Sequence, residues 1–89
     1  MGAERLNNQL DRVFNILSSF IDGKTLDRGQ NYVRFVSQGN TYVLEKISNQ
    51  MNLWRSNALF TSGCRSYSLD EIYNGVDFVE KVLADTNNL

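Results

Sequence analysis

The chain has 89 residues and a mass of 10.2 kDa, room for one domain with one core, since a typical domain runs ~100–150 residues. Hydrophobic residues make up 42% and charged residues 21%, an ordinary globular balance that excludes a disordered polar chain. A formal charge of −1 argues against a generally basic coat for nucleic acid, and the lack of histidine beside a single cysteine, Cys64, removes most catalytic and metal chemistry.

Residues 1–89 are therefore read as a single domain. One cysteine allows no internal disulfide, which points to an intracellular setting. The first residues carry no apolar signal core, and Leu6 stands where a myristoylation pattern wants serine or threonine. No apolar run approaches the ~18 residues of a membrane span. The expectation is a cytoplasmic protein without a membrane partner. The small total charge is unevenly spread: residues 24–65 carry six basic and two acidic side chains, and residues 66–89 carry five acidic and one basic. The middle is basic and the end acidic.

In chain order, the first element is a helix over residues 4–21. Leu6, Leu10, Val13, Phe14, Leu17 and Ile21 recur on one helical stripe, with Gly23 as the stop. Residues 31–48 read as a β-hairpin, two runs rich in aromatic and β-branched residues around a Gly39-Asn40 turn. That turn sets Val36 opposite Val43, Phe35 opposite Leu44, and Arg34 opposite Glu45 as an ion pair. Residues 52–61 read as a third strand, with Trp54, Ala58 and Phe60 on one side. A rival remains: Leu44, Ile47, Met51, Trp54 and Ala58 also repeat at helical steps, which would make residues 41–60 helical and the protein mostly α. The last element is a helix over residues 68–85. Ser68-Leu-Asp-Glu71 forms a capping box, Ile72, Val76, Val79 and Leu83 form the stripe, and Asn74-Gly75 interrupts it. The fold class is then α+β, in the order α-β-β-β-α, with two helices on one face of a three-stranded antiparallel sheet.

Chemistry is sparse. Gly23-Lys24-Thr25 matches only the tail of a phosphate-binding loop, because Ser18 stands where its first glycine belongs and a helix, not a strand, precedes it. No catalytic residue, cofactor site or metal site is assigned. Cys64 has no histidine to serve as its base. Tyr32, Phe35, Tyr42, Trp54, Phe60 and Tyr67 are interleaved with Arg34, Lys46, Arg55 and Arg65, a composition that suits stacked bases and phosphates. The α-β-β-β-α order resembles in topology the double-stranded-RNA-binding domain. That resemblance implies a basic, glycine-rich start to the last helix for gripping phosphate. The corresponding Ser68-Leu-Asp-Glu71 is acidic and would repel it, so no site is carried over.

These observations lead to a non-enzymatic binding protein, a regulator, adaptor or inhibitor of another protein, of the size that phages and mobile elements use against host enzymes. The alternative is a nucleic-acid-binding module using a basic, aromatic sheet. Opposite charges at the two ends also admit a second copy of the chain as partner. The candidate interaction surface comprises Arg34, Tyr42, Lys46, Trp54 and Arg55, with Asp77 and Glu80 on the last helix; an exposed apolar patch that includes Trp54 or Tyr42, rimmed by charge, is expected.

Overall fold

The computed structural model describes residues 2–56 and 64–89. Its first element, α1 (Gly2–Leu17), buries Leu10, Val13 and Leu17, the stripe anticipated from the sequence. The helix ends earlier than Gly23. The Ser18 hydroxyl donates to the Asn15 carbonyl at 2.5 Å, a local bond that competes with continued helix. Amides 19 and 20 fold back onto Ile16 and Leu17. Gly23 instead opens a 3-10 turn (Gly23–Thr25), capped by Asp22, which accepts from the Lys24 amide at 3.1 Å. The Gly23-Lys24-Thr25 motif is thus one turn leading into a strand.

Five strands follow in sequence order: β1 (Leu26–Arg28), β2 (Tyr32–Ser37), β3 (Asn40–Ile47), β4 (Gln50–Arg55) and β5 (Arg65–Ser68). They form one antiparallel sheet in the order β1-β2-β3-β4-β5. The anticipated sheet of three strands is corrected to five, and the topological likeness to the double-stranded-RNA-binding domain goes with it. The helical rival over 41–60 fails across 41–55, where the chain pairs as β3 and β4. Residues 57–61, including Ala58 and Phe60, lie outside the described residues. β1 and β5 escaped sequence reading because three or four residues are too few to show alternation, and each offers one buried side chain, Leu26 or Tyr67.

The β2–β3 register also differs from expectation. Gln38 and Gly39 both take positive φ, 52° and 79°, the backbone of a type I′ turn. The turn therefore closes on Ser37 and Asn40, not one residue later. Val36 faces Thr41, Phe35 faces Tyr42 and Arg34 faces Val43. Each partner moves by two residues, which leaves every side chain on its expected side of the sheet.

The last helical segment is two helices, α2 (Leu69–Ile72) and α3 (Val76–Asp85). Its capping box forms as anticipated: the Ser68 amide donates to Glu71 Oε2 at 2.9 Å, and the Glu71 amide donates to Ser68 Oγ at 3.4 Å. Glu71 Oε1 also accepts from Lys81 Nζ of α3 at 2.5 Å. That bond, then the Ser68 amide, holds the Glu71 carboxyl below its usual range. The break falls at Gly75, with φ 62° and ψ −111°, a conformation that side chains with a Cβ rarely adopt.

All three helices pack on one side of the sheet. Leu10, Val13, Leu17, Ile72, Phe78, Val79 and Val82 share one core with Leu26, Val33, Phe35, Tyr42, Leu44, Met51, Leu53 and Tyr67. Each such side chain contributes ~1.5–3 kcal/mol on burial if large and aliphatic or aromatic. Two tyrosines of that inner face tie the C-terminal end of α3 to the sheet. Tyr42 donates to the Thr86 carbonyl at 3.1 Å, and Tyr67 donates to Asp85 Oδ2 at 2.6 Å. Tyr67 also meets Phe78 edge to face, ring centroids 5.1 Å apart, and Phe35 stacks on Tyr42 at 5.7 Å.

Two predictions follow from this packing. A Cβ at Gly75 would meet Arg12 Nη2 at 3.3 Å on top of the strained φ, whereas one at Gly23 meets nothing within 4 Å. Gly75→Ala should therefore lower stability to denaturant by about 1–3 kcal/mol, and Gly23→Ala should stay within about 0.5 kcal/mol of wild type; equal losses would contradict the junction geometry. Burial first, then the bond to Asp85, raises the Tyr67 hydroxyl above its ordinary value of 10.0. A raised value means the stabilisation is whole below the unfolded-state value and is lost as pH rises through the folded one. The stability advantage of wild type over Tyr67→Phe should therefore shrink from neutral to strongly alkaline buffer; a constant difference would break the assignment.

Candidate binding face

The strands that bury one face present the alternate residues on the other. Because Val33, Phe35, Tyr42, Leu44, Met51, Leu53 and Tyr67 point into the core, the outer face carries Asp27, Tyr32, Arg34, Val36, Thr41, Val43, Glu45, Ile47, Asn52, Trp54 and Ser66. The register arranges these in rows. Asp27, Arg34, Val43 and Trp54 lie side by side across β1 to β4, and Tyr32, Glu45, Asn52 and Ser66 lie side by side across β2 to β5. Val36 pairs with Thr41, and Ile47 pairs with Gln50. None of the described helices covers this face.

Trp54 is half-buried at the middle of it, directly opposite Val43. Tyr32, Val36 and Val43 are also half-buried, and Ile47 is 42% exposed, more than a core side chain would allow. The polar groups largely satisfy one another. Arg34 Nη2 donates to Asp27 Oδ2 at 2.7 Å across β1 and β2, so the anticipated pairing of Arg34 with Glu45 is replaced. The cause is the turn at Gln38-Gly39, which sets Val43 opposite Arg34. The Ser66 hydroxyl donates to Asn52 Oδ1 at 2.8 Å. Glu45 is partly exposed, and its carboxylate has no hydrogen bond or ion pair among the described residues.

The residues singled out in the sequence do not assemble on one surface. Arg34 and Trp54 share the outer face. Tyr42, expected to be exposed, is 3% exposed and belongs to the core, because its parity on β3 is that of Leu44. Lys46 and Arg55 lie on the helix side of the sheet, opposite Met51 and Tyr42. Asp77 and Glu80 are exposed on α3, which packs on the helix side. The basic residues of the middle segment are divided in the same way: Arg28, Lys46, Arg55 and Arg65 take the helix-side parity, and Arg28 pairs with Asp11 of α1. The outer face keeps one basic residue, Arg34, against two acidic ones, Asp27 and Glu45, a net of −1. A basic stretch of sequence has not made a basic face.

Sequence reasoning missed Val36, Val43, Tyr32, Ile47 and Glu45 as members of this surface. Strand alternation would have found them once the helices were assigned to the opposite side. Elsewhere, Cys64 is exposed and its Sγ–H points at the Arg65 carbonyl at 3.9 Å. Among the described residues no three of Asp, Glu, Cys and His gather to hold a metal ion, and no helix is long and apolar enough to cross a membrane. No protein-family model, curated protein or solved structure matches this chain. The functional reading rests on the geometry of its own residues.

Trp54 is the sole tryptophan, so its fluorescence reports on this face alone. With Asp27 and Glu45 against Arg34 on this face, the ratio of caesium to iodide quenching constants should exceed the ratio for a neutral, blocked tryptophan at the same ionic strength. A ratio below that reference would mean a positively charged face.

Proposed function

We propose that the protein is a small, non-enzymatic, cytoplasmic binding protein, a regulator, adaptor or inhibitor, that recognises another protein through the helix-free face of its sheet. The observation that carries this reading is Trp54, half-exposed beside Val43 on a face that no described helix covers. Tryptophan concentrates binding energy at protein interfaces because it buries a large rigid surface at little entropic cost. Aliphatic neighbours with a polar rim match the anatomy of such interfaces. With the inner face given to the core, the outer face is left uncovered by any described helix.

The nucleic-acid alternative has less support. Trp54 and Tyr32 could stack on bases, but phosphate needs cations on the same side. Arg34 is engaged by Asp27 at 2.7 Å, and Lys46, Arg55 and Arg65 take the opposite parity in the sheet.

Affinity capture from the producing cells, with wild type and Trp54→Ala in parallel and with nuclease added, tests the proposal. Wild type should retain a protein partner despite nuclease, and Trp54→Ala should weaken retention about tenfold or more while the protein stays folded by circular dichroism. Retention that survives Trp54→Ala, or that nuclease abolishes, would refute it.

A further inference from the structure

Asn74 and Gly75 lie in the break between α2 and α3, and they are the one Asn-Gly pair among the chain's eleven asparagines. The amide carbon of an asparagine side chain can be attacked by the backbone nitrogen of the next residue, and a side chain on that residue obstructs the approach. Glycine removes the obstruction, which makes this pair the most labile setting for an already thermolabile residue. The folded junction leaves the reaction open. The Asn74 side chain is exposed and has no hydrogen bond among the described residues. The pair stands outside both helices, in a turn over residues 73–75. The Gly75 amide donates to the Ile72 carbonyl at 3.4 Å, the long limit of such a bond. Local opening that breaks so weak a bond costs far less than global unfolding.

Other turns lack this combination. Asn40 is followed by Thr41 and paired in β3, and Asn49 is followed by Gln50. Asp22 precedes Gly23, but its carboxylate accepts from the Lys24 amide at 3.1 Å and is a poorer electrophile than an amide.

We propose that Asn74 is a self-modification site, at which the folded chain loses ammonia and rearranges its own backbone. The Gly75 nitrogen bonds to Asn74 Cγ, its proton goes to the departing Nδ2, and ammonia leaves as a five-membered succinimide closes. Water then adds to one of the two ring carbonyls. Breaking the new bond to Cγ leaves an aspartate in the normal chain. Breaking the original peptide bond leaves an isoaspartate, in which the chain runs through the former side chain. In that product the Asn74 carbonyl that accepts from the Asp77 amide at 3.3 Å becomes a free carboxylate outside the main chain. Gly75, whose φ of 62° and ψ of −111° set the start of α3, moves away by the length of one extra carbon. The isoaspartyl chain therefore loosens α3, which supplies Phe78, Val79 and Val82 to the core. The junction packs against Arg12 and Ile16 of α1, so this inference stands apart from the function proposed for the outer sheet face.

The experiment holds the full chain in warm, mildly alkaline buffer, with a parallel sample unfolded in guanidinium chloride, and follows both by peptide mapping. The tryptic peptide 66–81 contains Asn74 and no other asparagine, so a gain of mass from amide to carboxylate in that peptide reports this site alone. Folded protein should convert Asn74 about tenfold or more faster than any other asparagine, giving both aspartyl and isoaspartyl products. Its rate should lie within about tenfold of the unfolded chain's. The separated isoaspartyl form should melt several degrees below wild type, whereas Asn74→Asp, which keeps the normal linkage, should melt close to it. An intact Asn74, conversion spread equally over other asparagines, or a folded rate below that range would overturn the site. An isoaspartyl form as stable as wild type would overturn the loosening of α3.

Discussion

Alternate side chains of a strand point to opposite faces, so the choice of which face the helices cover assigns a role to every residue in the sheet. Here that choice is held by the inner rows of β2 to β5, by the apolar stripes of α1 and α3, and by two tyrosine hydroxyls. Tyr42 and Tyr67 reach from the sheet to Thr86 and Asp85 at the end of α3. Buried hydroxyls without partners would be costly, so these bonds select one placement of the last helix. Once the helices occupy that side, Trp54, Val43, Val36 and Ile47 are left on the face that no described helix covers. The exposed face is therefore a direct result of how the core is satisfied.

The elements were legible in the sequence where periodicity had length to act. Leu10, Val13 and Leu17 marked α1, and the Ser68–Glu71 capping box marked the start of α2 to the residue. The β2 and β3 strands were recognisable from their β-branched and aromatic runs. What failed depended on backbone conformations with no strong residue signature. Gln38 at φ 52° is an unusual residue for a type I′ turn, and it displaced the hairpin centre by one residue. Gly75 announced a disturbance but not that φ and ψ would part α2 from α3. Short edge strands such as β1 and β5 are stabilised by their neighbours' hydrogen bonds, which leave little trace in their own composition.

The candidate site was less legible than the fold, for a related reason. Charge was counted along the chain, but recognition depends on charge per face. A stretch that is basic from Lys24 to Arg65 is divided by strand parity. Arg34 goes outward and is neutralised by Asp27, while Arg28, Lys46, Arg55 and Arg65 go to the helix side. Tyr42 shows the same effect for aromatics, since a shared strand with Val43 places the two on opposite sides. The register likewise gives the expected partner of Glu45, Arg34, to Asp27.

Oxidative footprinting of side chains, with and without the partner recovered by capture, tests most directly the idea that the helix-free face makes the contact. Oxidisable groups stand on both sides of the molecule: half-buried Trp54 and Tyr32 with exposed Ile47 on the outer sheet, against exposed Phe20, Tyr73 and Val76 at the ends of the helices. The account predicts that partner binding protects the first set and leaves the second oxidised as before. Protection of Phe20, Tyr73 and Val76 with Trp54 unchanged would contradict it.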